Sequence, residues 1–396
     1  MIPRLIIRNL LYTPLSTLLS FVLLLFGVGI ISVLLNLNEQ LEQKFSGSLA
    51  NIDMVIGAKG SPLQLVLSAV YHADAPTGNI KAAEVEKVLN NPMIEKAVPL
   101  AYGDTYQGFS ITGSDSGYIS LYNGRLKKGR LFRRKLEAVL GSNVAAVSGL
   151  DVDSTFAGTH GQGGHVHEDQ LYTVTGILQP TGTVLDNVVI TDLATVRAIH
   201  EHAHEHHRDH HEEQEEEITA VLLKFRSPMG IMVLPRLINE TTQMQAVSPS
   251  LEINRLMNLV GVGVVVLQYV AAAIIAMAAL SVFVALLNRL KDRRYEIAIM
   301  RSLGYSRWQL FSMLLAEGWL LALAGFAGGL LLSRLGLLLL DAYTAGEYHF
   351  NWQLFRFSTG EASLLLAVSL VGIIASLIPA ITAFRMDLSK TLSHES

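Results

Sequence analysis

Hydrophobic positions along the chain gather into four stretches long enough to cross a bilayer, which takes about 20 mostly apolar residues in a helix. The first lies between Arg8 and Glu39 and is densest from Leu15 to Leu37. The second runs from Leu256 to Asn288, free of charge between Arg255 and Arg289. The third starts near Trp308 and continues to Leu340, holding Glu317 and Arg334, and the fourth is Ala362 to Phe384, bracketed by Glu361 and Arg385. Between the first and second lie roughly 200 residues too polar for lipid. The pattern predicts an α-helical membrane protein with four transmembrane helices and a large α+β domain inserted between helices 1 and 2.

The first stretch starts with Arg4 and Arg8 like a signal peptide, but its apolar run exceeds an h-region and Leu-Asn-Leu-Asn-Glu offers no A-x-A site, so it reads as a retained helix. Residues 1–14 read as an amphipathic interfacial helix, with Arg4 and Arg8 one turn apart, Ile2, Leu5, Ile6 and Leu10 apolar, and Pro14 ending the pattern. The second charge-free run is 33 residues, about 49 Å as a helix against a hydrocarbon core of about 30 Å. Tilt absorbs only part of that excess, so this helix and the first are expected to continue outside the bilayer as a stalk. Segment 289–307 holds six basic residues and 341–360 only Arg356. Lys and Arg concentrate on the cytoplasmic side, which places both termini inside and the central domain in the periplasm of a bacterial inner membrane. The expected order is 1–14 interfacial helix, 15–40 helix 1 and stalk, 41–250 periplasmic α+β domain with a His-rich insertion at 200–217, and 251–288 stalk and helix 2. It continues with 289–307 coupling helix, 308–340 helix 3, 341–360 periplasmic loop, 361–384 helix 4 and 385–396 cytoplasmic tail.

In the central region Ala50 to Ile56 and Leu171 to Leu178 read as strands, and Ala82 to Leu89 and Pro228 to Thr242 as helices. Pro-Thr-Gly at 76–78 and again at 180–182 predicts turns. Ser61 and Pro62 make an N-cap and N1 pair for a helix through Tyr71. That helix presents Leu63, Leu65, Val66, Leu67 and Val70, a core-packing pattern.

The cytoplasmic loop has more structure than a charge anchor needs. Ile297, Met300 and Leu303 form an apolar edge on a charged helix, Gly304 suits the left-handed position that ends it, and Ser306 with Gln309 suits a capping box that opens the next. The run Arg-Arg-Tyr-Glu-Ile-Ala-Ile-Met-Arg-Ser-Leu-Gly-Tyr-Ser (293–306) resembles the coupling-helix signature of FtsX-like ABC permeases, the superfamily of MacB, LolC/LolE and FtsX types. The closing Ile378-Pro-Ala-Ile-Thr-Ala-Phe-Arg-Met-Asp resembles that family's ending, and the stretch from Ile56-Gly-Ala-Lys-Gly-Ser-Pro to Pro76-Thr-Gly-Asn-Ile resembles a subgroup of permeases. The resemblance implies a MacB-like domain arrangement and a coupling helix docked on a separate ABC ATPase, whose ATP- and Mg-driven closure is passed up the stalk as mechanotransmission. Arg293, Arg294, Glu296, Ile297, Met300, Arg301, Leu303 and Gly304 would then form the ATPase interface.

Composition agrees with such a partnership. Charged residues are 16% of the 396 against 50% hydrophobic, mean hydropathy is +0.37, and a soluble domain carries about a quarter charged. Net charge is −4, which gives no reason to expect nucleic acid. The absence of cysteine leaves no disulfide or thiolate metal site. No G-x-x-x-x-G-K-[ST] occurs, so no catalytic residue and no nucleotide site is assigned to this chain. Gly325 and Gly329, with Ala272 and Ala276, give small-residue spacings for close helix packing. Four helices are few for a transporter, so a second permease copy, identical or not, is expected. Glu317 and Arg334 are 17 residues apart, about 25 Å along a helix, and read as anchors at opposite interfaces.

Histidine is the unusual feature. His160, His165 and His167 lie in a glycine-rich stretch, and His200, His202, His204, His206, His207, His210 and His211 in an acidic one. Neutral imidazoles at this density are candidate ligands for zinc or another divalent metal; the alternative is a solvated insertion. His200-Glu-His-Ala-His204 spells the zinc-protease motif, which arises by chance where alternate residues are His, in a low-complexity context lacking the apolar helix the motif needs. Three functions remain open: an ABC permease handling a metal-linked, lipoprotein or peptide cargo with a periplasmic or outer-membrane partner, a non-transporting regulator of a periplasmic hydrolase, and a membrane metalloprotease.

Overall fold

The computed structural model describes residues 14–49, 51–159, 166–205, 216–292, 294–344, 353 and 355–385, with side chains omitted at 166–169, 200–205, 294–296 and 298. It divides into two units. Of the described residues, one comprises 14–40, 260–292, 294–344, 353 and 355–385, and the other those within 41–259.

The first unit is helical. Four of its helices are long and apolar enough to cross a membrane: α1 (Pro14–Leu49), α8 (Pro249–Asp292), α10 (Arg307–Thr344) and α11 (Thr359–Phe384). Between α8 and α10 lies the short α9 (Arg294–Ser302). With 36 and 44 residues, α1 and α8 are about 54 and 66 Å long. Residues 41–49 of α1 and 249–259 of α8 are assigned to the second unit.

Small residues set the helix spacing. Gly318 and Ala322 of α10 lie against Gly372 and Ser376 of α11, and α1 crosses α10 where Leu24 and Val28 meet Gly325 and Gly329. A Cβ added at Gly329 would stand 2.6 Å from the Val28 Cβ and 3.0 Å from the Gly29 nitrogen, so α1 would have to move. Ala272 and Ala276 are exposed. The inward stripe of α8 is instead Ala271, Ile275, Ala278 and Val282, one residue out of phase with the expected one. The sequence could not fix that phase, because α8 is apolar on every face here. Gly329→Ala is expected to cost about 1–3 kcal/mol through overpacking. Gly336→Ala, whose nearest new contact is 3.7 Å away, should be neutral or stabilising. Thermal unfolding of the two variants in detergent checks the difference.

The second unit is α+β. In chain order its elements are β1 (Met54–Ala58), α2 (Pro62–Tyr71), β2 (Ile80–Lys81), α3 (Ala82–Leu89), β3 (Ile94–Tyr106), β4 (Phe109–Ser114), α4 (Ser116–Leu121), β5 (Leu126–Gly129) and β6 (Glu137–Leu140). There follow α5 (Ser142–Ser148), β7 (Thr155–Thr159), β8 (Val166–Leu178), a 3-10 turn at Val184–Asn187, β9 (Val188–Asp192), α6 (Leu193–Glu205), β10 (Glu217–Ile218), β11 (Ala220–Phe225), α7 (Met229–Thr241) and β12 (Met244–Val247). Ten strands form one sheet in the order β12-β1-β11-β3-β4-β9-β6-β8-β5, with β7 joining β3 and β8, while β2 and β10 pair separately. The β4–β9 and β6–β8 pairs are parallel and the other pairs antiparallel.

Strand side chains alternate between faces, and here both faces are buried. Val55 and Leu222 enter one core with α2 and α4, whereas Met54, Ile56, Val221 and Leu223 enter another with α3 and α7. Ser61 caps α2, its Oγ accepting from the Gln64 N–H at 3.4 Å, and Leu65, Val66, Ala69 and Val70 fill the first core. Phe45 and Leu49 of α1 and Leu256 and Met257 of α8 pack against that same core.

Candidate functional site: the α9–α10 turn and the charged helix contacts

The turn between α9 and α10 is built from local signals. Gly304 has φ +102°, a conformation that costs glycine nothing and other residues a clash of Cβ with backbone. The Tyr305 N–H donates to the Met300 carbonyl at 3.1 Å and the Gly304 N–H to the Arg301 carbonyl at 3.1 Å, a Schellman ending. The next helix opens on a reciprocal box: the Ser306 N–H donates to Gln309 Oε1 at 2.8 Å, and the Gln309 N–H to Ser306 Oγ at 3.2 Å.

Ile297 is only 6% exposed and packs into the helical core, and Met300 packs against it. These two hold α9 to the bundle, so Ile297 is not on the outward face expected for it. Outward lie Ile299 and Leu303, the latter 76% exposed, with Gly304 beside them and Arg301 half-buried. At a 3.6-residue period the amphipathic helix has one inward edge, and Ile297 with Met300 supplies it. Arg293 lies outside the described residues, and the side chains of Arg294 and Glu296 are not described. Trp308, at the start of α10, makes edge contacts with Phe311 and Phe384 at 5.7 and 5.2 Å between ring centres.

Two ion pairs tie helices together inside the same unit. Arg289 of α8 places Nη1 3.7 Å from Glu317 Oε2 of α10, and its Nη2 donates to Thr17 Oγ1 of α1 at 2.6 Å. Arg334 of α10 straddles the Glu361 carboxylate of α11, with Nη2 2.9 and 2.7 Å from the two oxygens. Into the same carboxylate Ser32 Oγ and Asn36 Nδ2 of α1 donate at 2.6 and 2.8 Å, and the Ser358 N–H donates at 3.2 Å. Ser358 Oγ donates onward to Glu39 of α1 at 2.6 Å, and Arg356 Nη2 lies 3.4 Å from the same residue. Glu317 and Arg334 are therefore not lone interfacial anchors. Each is turned inward onto an opposite charge from another helix, which its sequence spacing could not show.

Of the candidate metal ligands, His160, His165, His206, His207, His210 and His211 lie outside the described residues. His167 is on β8, and His200, His202 and His204 are on α6, without described side chains. Helix α6 carries the first part of the His tract, as far as Glu205. Among the described residues no group of three or more His, Asp or Glu side chains could hold a metal.

The model of the MacB-like periplasmic core domain family matches residues 17–251, more than half of the chain, and that of the FtsX-like permease C-terminal family matches residues 269–388. A sequence search of curated proteins finds no match. Among solved structures, the chain is similar to the periplasmic region of MacB from Actinobacillus actinomycetemcomitans, at 13% identity and TM-score 0.37, over 56% of this chain and 98% of that one. It is also similar to the extracellular domain of the ABC-type transporter YknZ from Gram-positive bacteria, at 13% identity and TM-score 0.33, over 49% of this chain and 99% of that one. With both family regions in succession along its length, the protein belongs to the MacB/FtsX-like ABC transporter permeases.

Proposed function

We propose that this chain is the membrane subunit of an ABC transporter that transmits motion: a separate ATPase docks on the α9–α10 turn, and its closure shifts α1 and α8, which enter the α+β unit directly. The observation that carries this reading is the exposed apolar pair Ile299 and Leu303 on a turn locked by a Schellman ending and a capping box. A basic loop anchor needs neither feature. The absence of a nucleotide loop in this chain supports ATP and Mg binding in the partner, and the basic loop supports a cytoplasmic turn and cytoplasmic termini at an inner membrane. The assembly is a dimer of permease subunits. Motion delivered to a periplasmic domain serves export of a lipoprotein, peptide or metal-linked cargo, with the His-rich tract as a candidate zinc ligand set.

Co-purification with the ATPase tests the reading. Leu303→Glu is expected to weaken association at least about 30-fold, the scale of an interface hot spot, while leaving membrane insertion intact. A Leu303→Glu or Gly304→Val protein that still binds its ATPase and drives transport at the wild-type rate overturns it.

A further inference from the structure

Trp308 is the second residue of α10 and lies inside the Ser306–Gln309 box that opens it. It is 68% exposed, yet its ring is held from two sides. Phe311, one turn on, and Phe384, the last residue of α11, both meet it edge to face, and those two rings in turn stand 6.3 Å apart at 78°. Edge-to-face contact is an arrangement that the ring quadrupole favours. The trio therefore joins a turn whose own backbone is locked to the end of a different helix. Beneath it, Leu310 of α10 and Ala380 and Ala383 of α11 are buried in the core that also takes Ile297 of α9.

Farther along, the same two helices are fastened twice more. Gly318 lies against Gly372 and Ser376, about 15 Å of helix rise beyond Trp308. Arg334 pairs with Glu361, about 24 Å farther still. Of these fastenings only the aromatic one adjoins the turn. Helix ends fray, so without it the first turn of α10 and the last turn of α11 are free to separate.

On the reading of the turn as the ATPase dock, we propose that Trp308 is a positioning residue that fixes the α9–α10 turn to the carboxy-terminal end of α11. Motion entering at the turn is then carried by α10 and α11 together and is not lost in a pivot of the first turn of α10. Two other uses of an exposed tryptophan fit less well. An anchor in the headgroup layer needs the amphipathic indole but gains nothing from Phe384 beside it. A hot spot for the ATPase likewise needs no contact with the end of α11.

The chain has no cysteine, so Arg307→Cys and Arg385→Cys, both at exposed positions, place two spin labels at the joined helix ends of the full-length protein in nanodiscs. Pulsed electron resonance is expected to give one narrow distance distribution, unchanged when the ATPase and a non-hydrolysable ATP analogue are added. Trp308→Ala should lower the ratio of fastened to pivoted ends on the order of tenfold, the scale of two ring contacts. Its distribution should broaden and shift with nucleotide, while co-purification with the ATPase stays at the wild-type level. Trp308→Phe keeps a ring edge for Phe384 but lacks the indole N–H of an interface anchor, so it should restore the narrow distribution. A folded Trp308→Ala protein with a narrow distribution, a wild-type distance that changes with nucleotide, or a Phe variant that behaves as the Ala variant overturns the proposal. So does loss of the ATPase in Trp308→Ala, which assigns the ring to the docking face. If the wild type itself binds no ATPase, the docking reading falls, and the distributions of the three proteins alone still decide whether Trp308 fastens the two ends.

Discussion

Glu361→Ala is expected to destabilise the helical unit by about 3–5 kcal/mol, the cost of stranding the partner of a buried ion pair. Glu361 is fully buried, and its carboxylate takes Arg334 on both oxygens together with Ser32, Asn36 and the Ser358 N–H. Those donors come from α1, from α10 and from the start of α11 itself, so one side chain clamps three helices and caps one of them. Without it, the Arg334 guanidinium, 16% exposed, has only the Arg356 carbonyl at 3.0 Å and must recruit water or move outward. Glu361→Gln keeps an acceptor for Ser32 or Asn36 and should cost less. The Arg334→Met, Glu361→Leu double variant removes both charges and should recover the part of the loss due to the stranded guanidinium, while Ser32, Asn36 and the Ser358 N–H still lose their acceptor. Thermal unfolding in detergent of Arg334→Met, Glu361→Leu and the double variant closes a double-mutant cycle. Additive losses, with the double variant as unstable as the sum of the singles, would show that the pair does not act as a clamp. The effect should be nearly insensitive to salt.

What the sequence disclosed and what it hid follow from the range of each interaction. The spans were legible because lipid demands an unbroken apolar run, and the α9–α10 turn because Gly304, Ser306 and Gln309 act on backbone groups within five residues of themselves. Helix α2 was visible from the same kind of local signal, its Ser61 cap; helices α3 and α7, which have no side-chain cap, were read from their composition. Most of the sheet was not. Strand β11 is buried on both faces, so Val221-Leu222-Leu223 shows no alternation that separates strand from any other apolar segment, whereas β1 was read as Ala50 to Ile56, four residues early at its start. Strand β8 was placed from Leu171 by its β-branched residues, while its first part, from Val166, holds polar residues that gave no signal. The clamp was invisible for a third reason. Arg289 read as a loop charge and Glu361 as a span boundary, and only tertiary packing shows that each faces a charge on another helix.

The stability of the α+β unit is expected to fall by up to about 3 kcal/mol as pH drops from 6.5 to 4, and His72 is the cause. His72 ends α2 in the left-handed conformation, φ +53°, with its ring in edge contact with Tyr102 at 5.3 Å and Tyr118 at 6.2 Å. Nε2 lies 2.7 Å from the Tyr118 hydroxyl, while Nδ1 is buried with no partner among the described residues. Burial pushes the imidazole down from 6.5 to about 4, and burial raises the neighbouring tyrosines Tyr71, Tyr102, Tyr118 and Tyr122, which stay neutral throughout. The unfolded chain therefore binds a proton between pH 6.5 and 4 that the folded chain refuses, so stability rises with pH across that window. The contribution is complete above about 6.5 and gone below about 4, and a shift of this size corresponds to roughly 3 kcal/mol at about 1.4 kcal/mol per unit. His72→Asn separates this from every other titration, because asparagine tolerates the left-handed backbone and does not titrate. Hydrogen exchange at the buried Val66 and Val70 amides of α2, in the full-length protein at pH 7 and pH 4.5, reads the local stability. The wild type should lose protection at the lower pH by on the order of a hundredfold beyond the loss in His72→Asn. Equal losses in the two proteins would mean that the buried imidazole accepts its proton without opening the core, and that the unpartnered Nδ1 finds an acceptor when charged.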